Sequence, residues 1–130
     1  MRRELFGAYD HPLLQRREVG PTPTWTSSLR PGLLPYLADH RLGQRAIFPA
    51  AGFVEAGLAL ARATGRPLDL DGLELREMLP IDRDTTVRIE LDPTTGHFAL
   101  HGGDPEADGP WTLHARGRVA ESAVGPRRHD

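Results

Sequence analysis

Between Pro49 and Thr64 the chain reads PAAGFVEAGLALARAT, and its only charges there are Glu55 and Arg62. Proline suits the first turn of a helix, where its missing N–H is not needed, and Gly65 suits the far end. The stretch is therefore expected to form a helix over about residues 49–64. A helix apolar on most faces has to be wrapped by other structure. Burying an unpaired carboxylate is costly, so Glu55 needs a hydrogen-bond partner, a wet cavity or a proton. Just upstream, His40 falls on a loop, a titratable group beside a dry wall. Whether His40 and Glu55 meet is the question the sequence poses.

The remaining patterns supply the wrapping. Thr24 to Leu29 puts Trp25, Ser27 and Leu29 on one side and ends at Arg30-Pro31-Gly32, which predicts a first strand. Leu33 to Ala38 is expected to form a short turn of helix that delivers the loop beginning at Asp39. After the long helix, Leu68 and Leu70 share one parity and Leu73 and Leu75 the other, so a bulge or bend is expected at Gly72. Thr85 to Leu91 alternates cleanly, Asp92 to Gly96 reads as a hairpin turn, and His97 to His101 is its short partner. Beyond a polar loop from Gly102 to Gly109, Trp111, Leu113, Ala115, Gly117 and Val119 alternate with Thr112, His114, Arg116 and Arg118. That is the pattern of a half-buried strand.

The expected order is strand, helix, then four strand segments in meander order. One long buried helix against an antiparallel sheet is an α+β layout. A sheet wrapped around the central helix, the hot-dog fold, best explains a helix apolar on so many faces. Residues 1–23 are expected to be an N-terminal arm with one short strand near Leu13 to Val19, residues 24–120 a single hot-dog domain, and residues 121–130 a tail or linker.

Composition narrows the function. At 130 residues one domain is expected. A net charge of -2 gives no electrostatic case for nucleic acid, and the sixteen basic residues, all Arg, are scattered rather than clustered. The absence of cysteine excludes thiol catalysis, disulfides and Cys-ligated zinc, and fits a cytoplasmic protein. Basic residues near the start are followed by no apolar run, so no signal peptide is expected. Nothing approaches the ~18 apolar residues of a membrane span. His97 and His101 share a strand face and His114 reads as polar-facing, but spacing places no further ligand, so no metal site is expected. Arg116 and Arg118 read as a solvated face, with docking to an acidic carrier protein as the other use.

Two runs, Tyr36-Leu37-Ala38-Asp39-His40-Arg41-Leu42 and Phe48-Pro49-Ala50-Ala51-Gly52-Phe53-Val54-Glu55, carry a family resemblance. With His11-Pro12-Leu13-Leu14 upstream, and Trp111 and Leu113 to Val119 downstream, the chain resembles the N-terminal half of the dehydratase domains of modular polyketide synthases from roughly Tyr9 to Val119. The resemblance implies loss of water from a 3-hydroxyacyl chain held as a thioester on the phosphopantetheine of an acyl carrier protein, with no metal or redox cofactor. His40 would be the base, an imidazole that titrates near neutrality being suited to it. Backbone N–H groups around Ala51 and Gly52 would polarise the thioester carbonyl. Tyr36 and Phe53 either belong to the core or line an acyl tunnel.

Two departures bear on what carries over. The family pattern has a glycine four residues after the histidine and a proline nine after. Pro49 fits, but position 44 is Gln and the glycine stands at Gly43, where it keeps the turn while Gln44 crowds the thioester. These domains also contain two hot-dog halves, with the catalytic aspartate in the second. Glu55 matches the helix carboxylate of stand-alone dehydratases, which dimerise, so either a homodimer sets His40 against Glu55 of the mate or a second hot-dog half supplies the acid. In the latter case Glu55 is a structural carboxylate. The competing readings are a non-catalytic hot dog that binds a carrier protein or a second hot-dog unit, and an enoyl isomerase or oxa-cyclase on the same fold.

Overall fold

The computed structural model describes residues 11–29, 41–42, 45–81, 85–107 and 109–120. Helix α1 runs Ala50–Ala63. Pro49 stands just outside it with an extended backbone, and its carbonyl accepts from Gly52 N–H at 2.8 Å. At the other end Gly65 adopts φ 71°, Thr64 Oγ1 donates to the Leu60 carbonyl at 2.8 Å, and Arg66 N–H reaches the Ala61 carbonyl at 2.8 Å. This left-handed glycine turn satisfies the last carbonyls of the helix.

Strands β1 (Arg16–Arg17), β2 (Thr24–Leu29), β5 (Leu70–Leu75), β6 (Thr85–Leu91), β7 (His97–Gly103) and β8 (Thr112–Val119) form a six-stranded sheet in the order β1-β2-β6-β7-β8-β5. Among the described residues, the small strands β3 (Arg41–Leu42) and β4 (Arg45–Ala46) pair only with each other. All of the pairings are antiparallel. One helix laid on one curled antiparallel sheet is the expected α+β hot-dog arrangement.

Three details differ from expectation. The strand after the helix does not open a four-strand meander: β5 pairs with β8 at the far edge, and only β6, β7 and β8 are sequential neighbours. Because α1 packs across β8 and β5, the chain leaves the helix on that side and must cross back to β6. Strand β7 runs on to Gly103, two residues beyond its expected end. His114 is buried rather than polar-facing, because the register of β7 against β8 shifts between Leu100 and His101 and puts His114 and Ala115 both inside. The expected bend at Gly72 is present, with φ 63° and a register shift between Asp71 and Glu74.

The core lies between the sheet and α1. Leu60 is fully buried, and Phe53, Ala56, Ala59 and Ala61 join it against Val87, Ile89, Leu91, Leu100 and Val119. Fully burying a side chain of this size contributes about 1.5–3 kcal/mol. The upstream segment is tied in as well. Leu13 and Leu14 are buried, Gln15 N–H donates to Ser27 Oγ at 2.9 Å, and the Gln15 amide brackets the Ser28 backbone. The opposite flank of α1 is more open than the sequence predicts: Ala50 and Ala51 are exposed and Val54 is 38% exposed. No helix among the described residues is long and apolar enough to cross a membrane.

On the outer face, Arg116 Nε meets Glu74 Oε1 at 2.5 Å and Arg118 meets Asp71 at 3.2 Å, so both arginines are paired across the β5–β8 ladder. The hydrogen bond from Arg116, then its charge, hold the Glu74 carboxyl below its usual value of 4.5. A carboxyl lowered in the folded state contributes stability that is present above that usual value and fades as pH falls through the folded one. Amide protection along β5, taken relative to the intrinsic exchange rate at each pH between about pH 6 and pH 3, should therefore weaken in acid, and Glu74→Gln should remove that part of the pH dependence.

Gly57 lies where a Cβ would approach Leu70 Cδ1 to 2.9 Å and the Phe98 ring to 3.1 Å. Gly57→Leu should cost about 1–3 kcal/mol in urea unfolding through overpacking. Gly57→Ala, which displaces the end of a flexible leucine, shifts the tip of the Phe98 ring slightly and gains helix propensity, should stay within about 1 kcal/mol of the parent.

Candidate active site

The amino end of α1 is where the candidate residues gather, and three segments hold it. Phe48 N–H donates to the Leu79 carbonyl at 2.8 Å and Ile47 bridges Pro80, so the approach to the helix is strapped to the crossing between β5 and β6. The Phe48 ring then folds under the first turn, edge-on to Phe53 at 4.8 Å between centroids. A Cβ at Gly52 would sit 2.6 Å from that ring, so only glycine lets Phe48 pack there. Gly52 is thus a packing requirement of the helix start, and Phe53 is a buried core residue.

Pro49 is buried and Ala51 is exposed. Of the two amides singled out in the sequence, Gly52 N–H is taken by the Pro49 carbonyl, whereas Ala51 N–H has no partner among the described residues. An unpaired first-turn amide carries the positive end of the helix dipole. His40, Tyr36, Gly43 and Gln44 lie outside the described residues, the last two between β3 and β4.

Glu55 has a partner within its own chain. His11 Nε2 lies 2.8 Å from Glu55 Oε2, with the histidine side chain 12% exposed and the glutamate 47%. The Leu13 N–H donates to His11 Nδ1 at 3.0 Å. A ring accepting at Nδ1 carries its proton on Nε2, so the imidazole donates to the carboxylate. Both nitrogens are engaged, which makes His11 a pin between the upstream segment and α1 rather than a base facing substrate. The demand that Glu55 find a partner was legible in the sequence. That the partner is His11 was not, since 44 residues separate them and no spacing rule connects the two.

No group of three or more His, Asp or Glu side chains suited to a metal ion occurs among the described residues. A broad groove of about 920 Å³ opens on another part of the surface, bordered by Asp71, Asp92, His97, Arg116 and Arg118. It is remote from the helix start, and its arginines are already paired to Asp71 and Glu74, so its size does not mark the chemistry.

The fold defines the class: a single hot-dog unit, one helix against an antiparallel sheet. The sequence profile of the polyketide synthase dehydratase domain matches residues 11–101. The spectinabilin polyketide synthase system protein NorA of Streptomyces orinoci is 36% identical over 92% of this chain, and squalestatin hexaketide synthase of a Phoma species is 32% identical over 88%. The dehydratase domain from the terminal module of the rifamycin polyketide synthase superposes with a TM-score of 0.73 at 28% identity, over 91% of this chain. A bifunctional dehydratase-cyclase domain of ambruticin biosynthesis gives 0.70 at 29% identity over 90%. The chain belongs to the polyketide synthase dehydratase domain family. It spans 7% and 5% of the two synthases, and 45% and 44% of the two solved domains.

The pin is open to measurement. A hydrogen bond to a charged group contributes about 1.5–3 kcal/mol, less where the partner is half exposed. His11→Ala and Glu55→Leu should each lower unfolding stability by about 1 kcal/mol, with a double-mutant coupling energy of about 0.5–1 kcal/mol. Glu55→Gln, which keeps a carbonyl oxygen for the Nε2–H, should lose less.

Proposed function

We propose that this chain is the first hot-dog half of a dehydratase that removes water from a 3-hydroxyacyl thioester carried on an acyl carrier protein. The observation that carries the reading is the joint match in profile, over residues 11–101, and in fold, over nine-tenths of this chain and under half of each solved domain. In this reading His40 takes the proton from the carbon next to the thioester carbonyl. The electron pair forms the new double bond as the C–O bond to the 3-hydroxyl breaks, and a carboxylic acid protonates the leaving oxygen to give water. The Ala51 N–H at the helix start steadies the negative charge that develops on the thioester oxygen. Neither a metal nor a redox cofactor enters these steps.

The acid comes from a second hot-dog unit. Glu55 is engaged by His11, which favours a structural role for it over a catalytic one. The exposed flank of α1 at Ala51 and Val54, and the outer edge of β5 with Leu68, Leu75 and Met78 exposed beside it, offer apolar surface for that unit. The likeness to the dehydratase-cyclase supports a second reading, in which the same histidine also drives oxygen addition to the enoyl product.

The test incubates this chain, alone and with a second hot-dog half, with a 3-hydroxyacyl carrier-protein thioester and follows loss of water by mass spectrometry. His40→Ala should lower the rate by at least about 100-fold. Glu55→Gln should retain most of it. Equal inertness of parent and His40→Ala with the second half present would remove the enzyme reading.

A further inference from the structure

His114 is a buried polar side chain, 6% exposed, that the proposed reaction does not use. The bulge opposite Leu100 and His101 turns it inward, toward the crossing between β5 and β6. Its ring Nδ1 donates to the Glu77 carbonyl at 3.1 Å, and its own carbonyl accepts from Arg76 N–H at 2.8 Å and from Glu77 N–H at 3.4 Å. One residue thus grips the start of the crossing with both ring and backbone. Further along, the Leu79 carbonyl receives Phe48 N–H, Pro80 bridges Ile47, and Leu79 and Ile81 are buried in the core. The ring has a dedicated seat: a Cβ at Gly102 would fall 2.8 Å from His114 Nε2 and 3.2 Å from Leu79 Cδ1.

We propose that His114 is a positioning residue that acts through this strap. It holds residues 76–81, the strap holds Ile47–Pro49, and that approach sets the amino end of α1. The functional consequence rests on the dehydratase reading, in which the first amide of α1 meets the thioester carbonyl; the relay itself does not. A leucine at position 114 would fill the volume but leave the Glu77 carbonyl without its donor. An asparagine places an N–H where Nδ1–H stands, whereas a glutamine places its amide nearer to Nε2.

Amide hydrogen exchange in the 130-residue chain reads the relay without substrate. In His114→Leu the Phe48 amide should exchange roughly tenfold faster, from loss of one partly buried hydrogen bond, while amides of β6 and β7 change by less than about twofold. Gly102→Ala, which displaces the ring, should act in the same direction. His114→Asn should bring Phe48 back to within about threefold of the parent and His114→Gln should not, a comparison that stands even if the leucine variant fails to fold. Unchanged protection at Phe48, a uniform loss across the sheet, or equal rescue by Asn and Gln would overturn the relay. In the turnover assay with a second hot-dog half, His114→Leu should lower kcat with little change in KM, as expected when an interaction made only in the transition state is misplaced. Unchanged kcat alongside lost Phe48 protection would overturn the positioning role. A chain inert in every form would sink the dehydratase reading alone, because exchange at Phe48 still decides the relay.

Discussion

A helix of fourteen residues with one carboxylate and one guanidinium persists only against a sheet broad enough to cover it. That constraint arranges the rest of the chain. The sheet takes the face bearing Phe53, Ala56 and Leu60, and the helix lies across β8 and β5. Placing β5 at the edge beside β8 obliges the chain to cross the end of the sheet before β6 can begin. The crossing is a consequence of covering the helix, and it brings Leu79 and Pro80 to the backbone just ahead of that helix. The topology that buries the apolar wall therefore also frames the place where chemistry is expected.

The amino end of α1 consequently answers to several distant parts of the chain. Phe48 comes from the approach between β4 and α1, Leu79 from the crossing, and His11 from the upstream segment. Leu79 and His11 are distant in sequence from the helix start, and each of the three acts by a different means: a ring under Gly52, a backbone hydrogen bond, and an imidazole on a carboxylate. A helix start with no side-chain cap of its own is held instead by tertiary contacts. Such a site is rigid because its neighbours are well packed, so small changes in the strap should reach it without touching it.

Much of the fold was legible because its signals are periodic and local. The alternation of Thr85 to Leu91, the turn closed by Gly96 at φ 83°, and the phase slip at Gly72 each rest on a rule of backbone geometry. What escaped is what no period encodes. The bulge that turns His114 inward leaves the alternation of the strand apparently intact, because one extra residue on β8 is visible only against its partner. The place of β5 beside β8 depends on which side of the sheet the helix exits. Among the candidate site residues, Gly52 was singled out for its amide and Glu55 as a carboxylate in need of a partner; in the structure Gly52 makes room for the Phe48 ring and Glu55 meets His11.

The His11–Glu55 pair also sharpens what kind of half this chain is. A carboxylate that is to protonate a leaving hydroxyl must hold a proton at the moment of reaction, which requires surroundings that favour its neutral form. Glu55 instead has its Oε2 engaged by His11 Nε2 at 2.8 Å, a contact that ties the upstream segment to α1. The flank of α1 beside it is open, with Ala51 and Val54 exposed. Glu55 therefore belongs to the packing that holds α1 against the upstream segment.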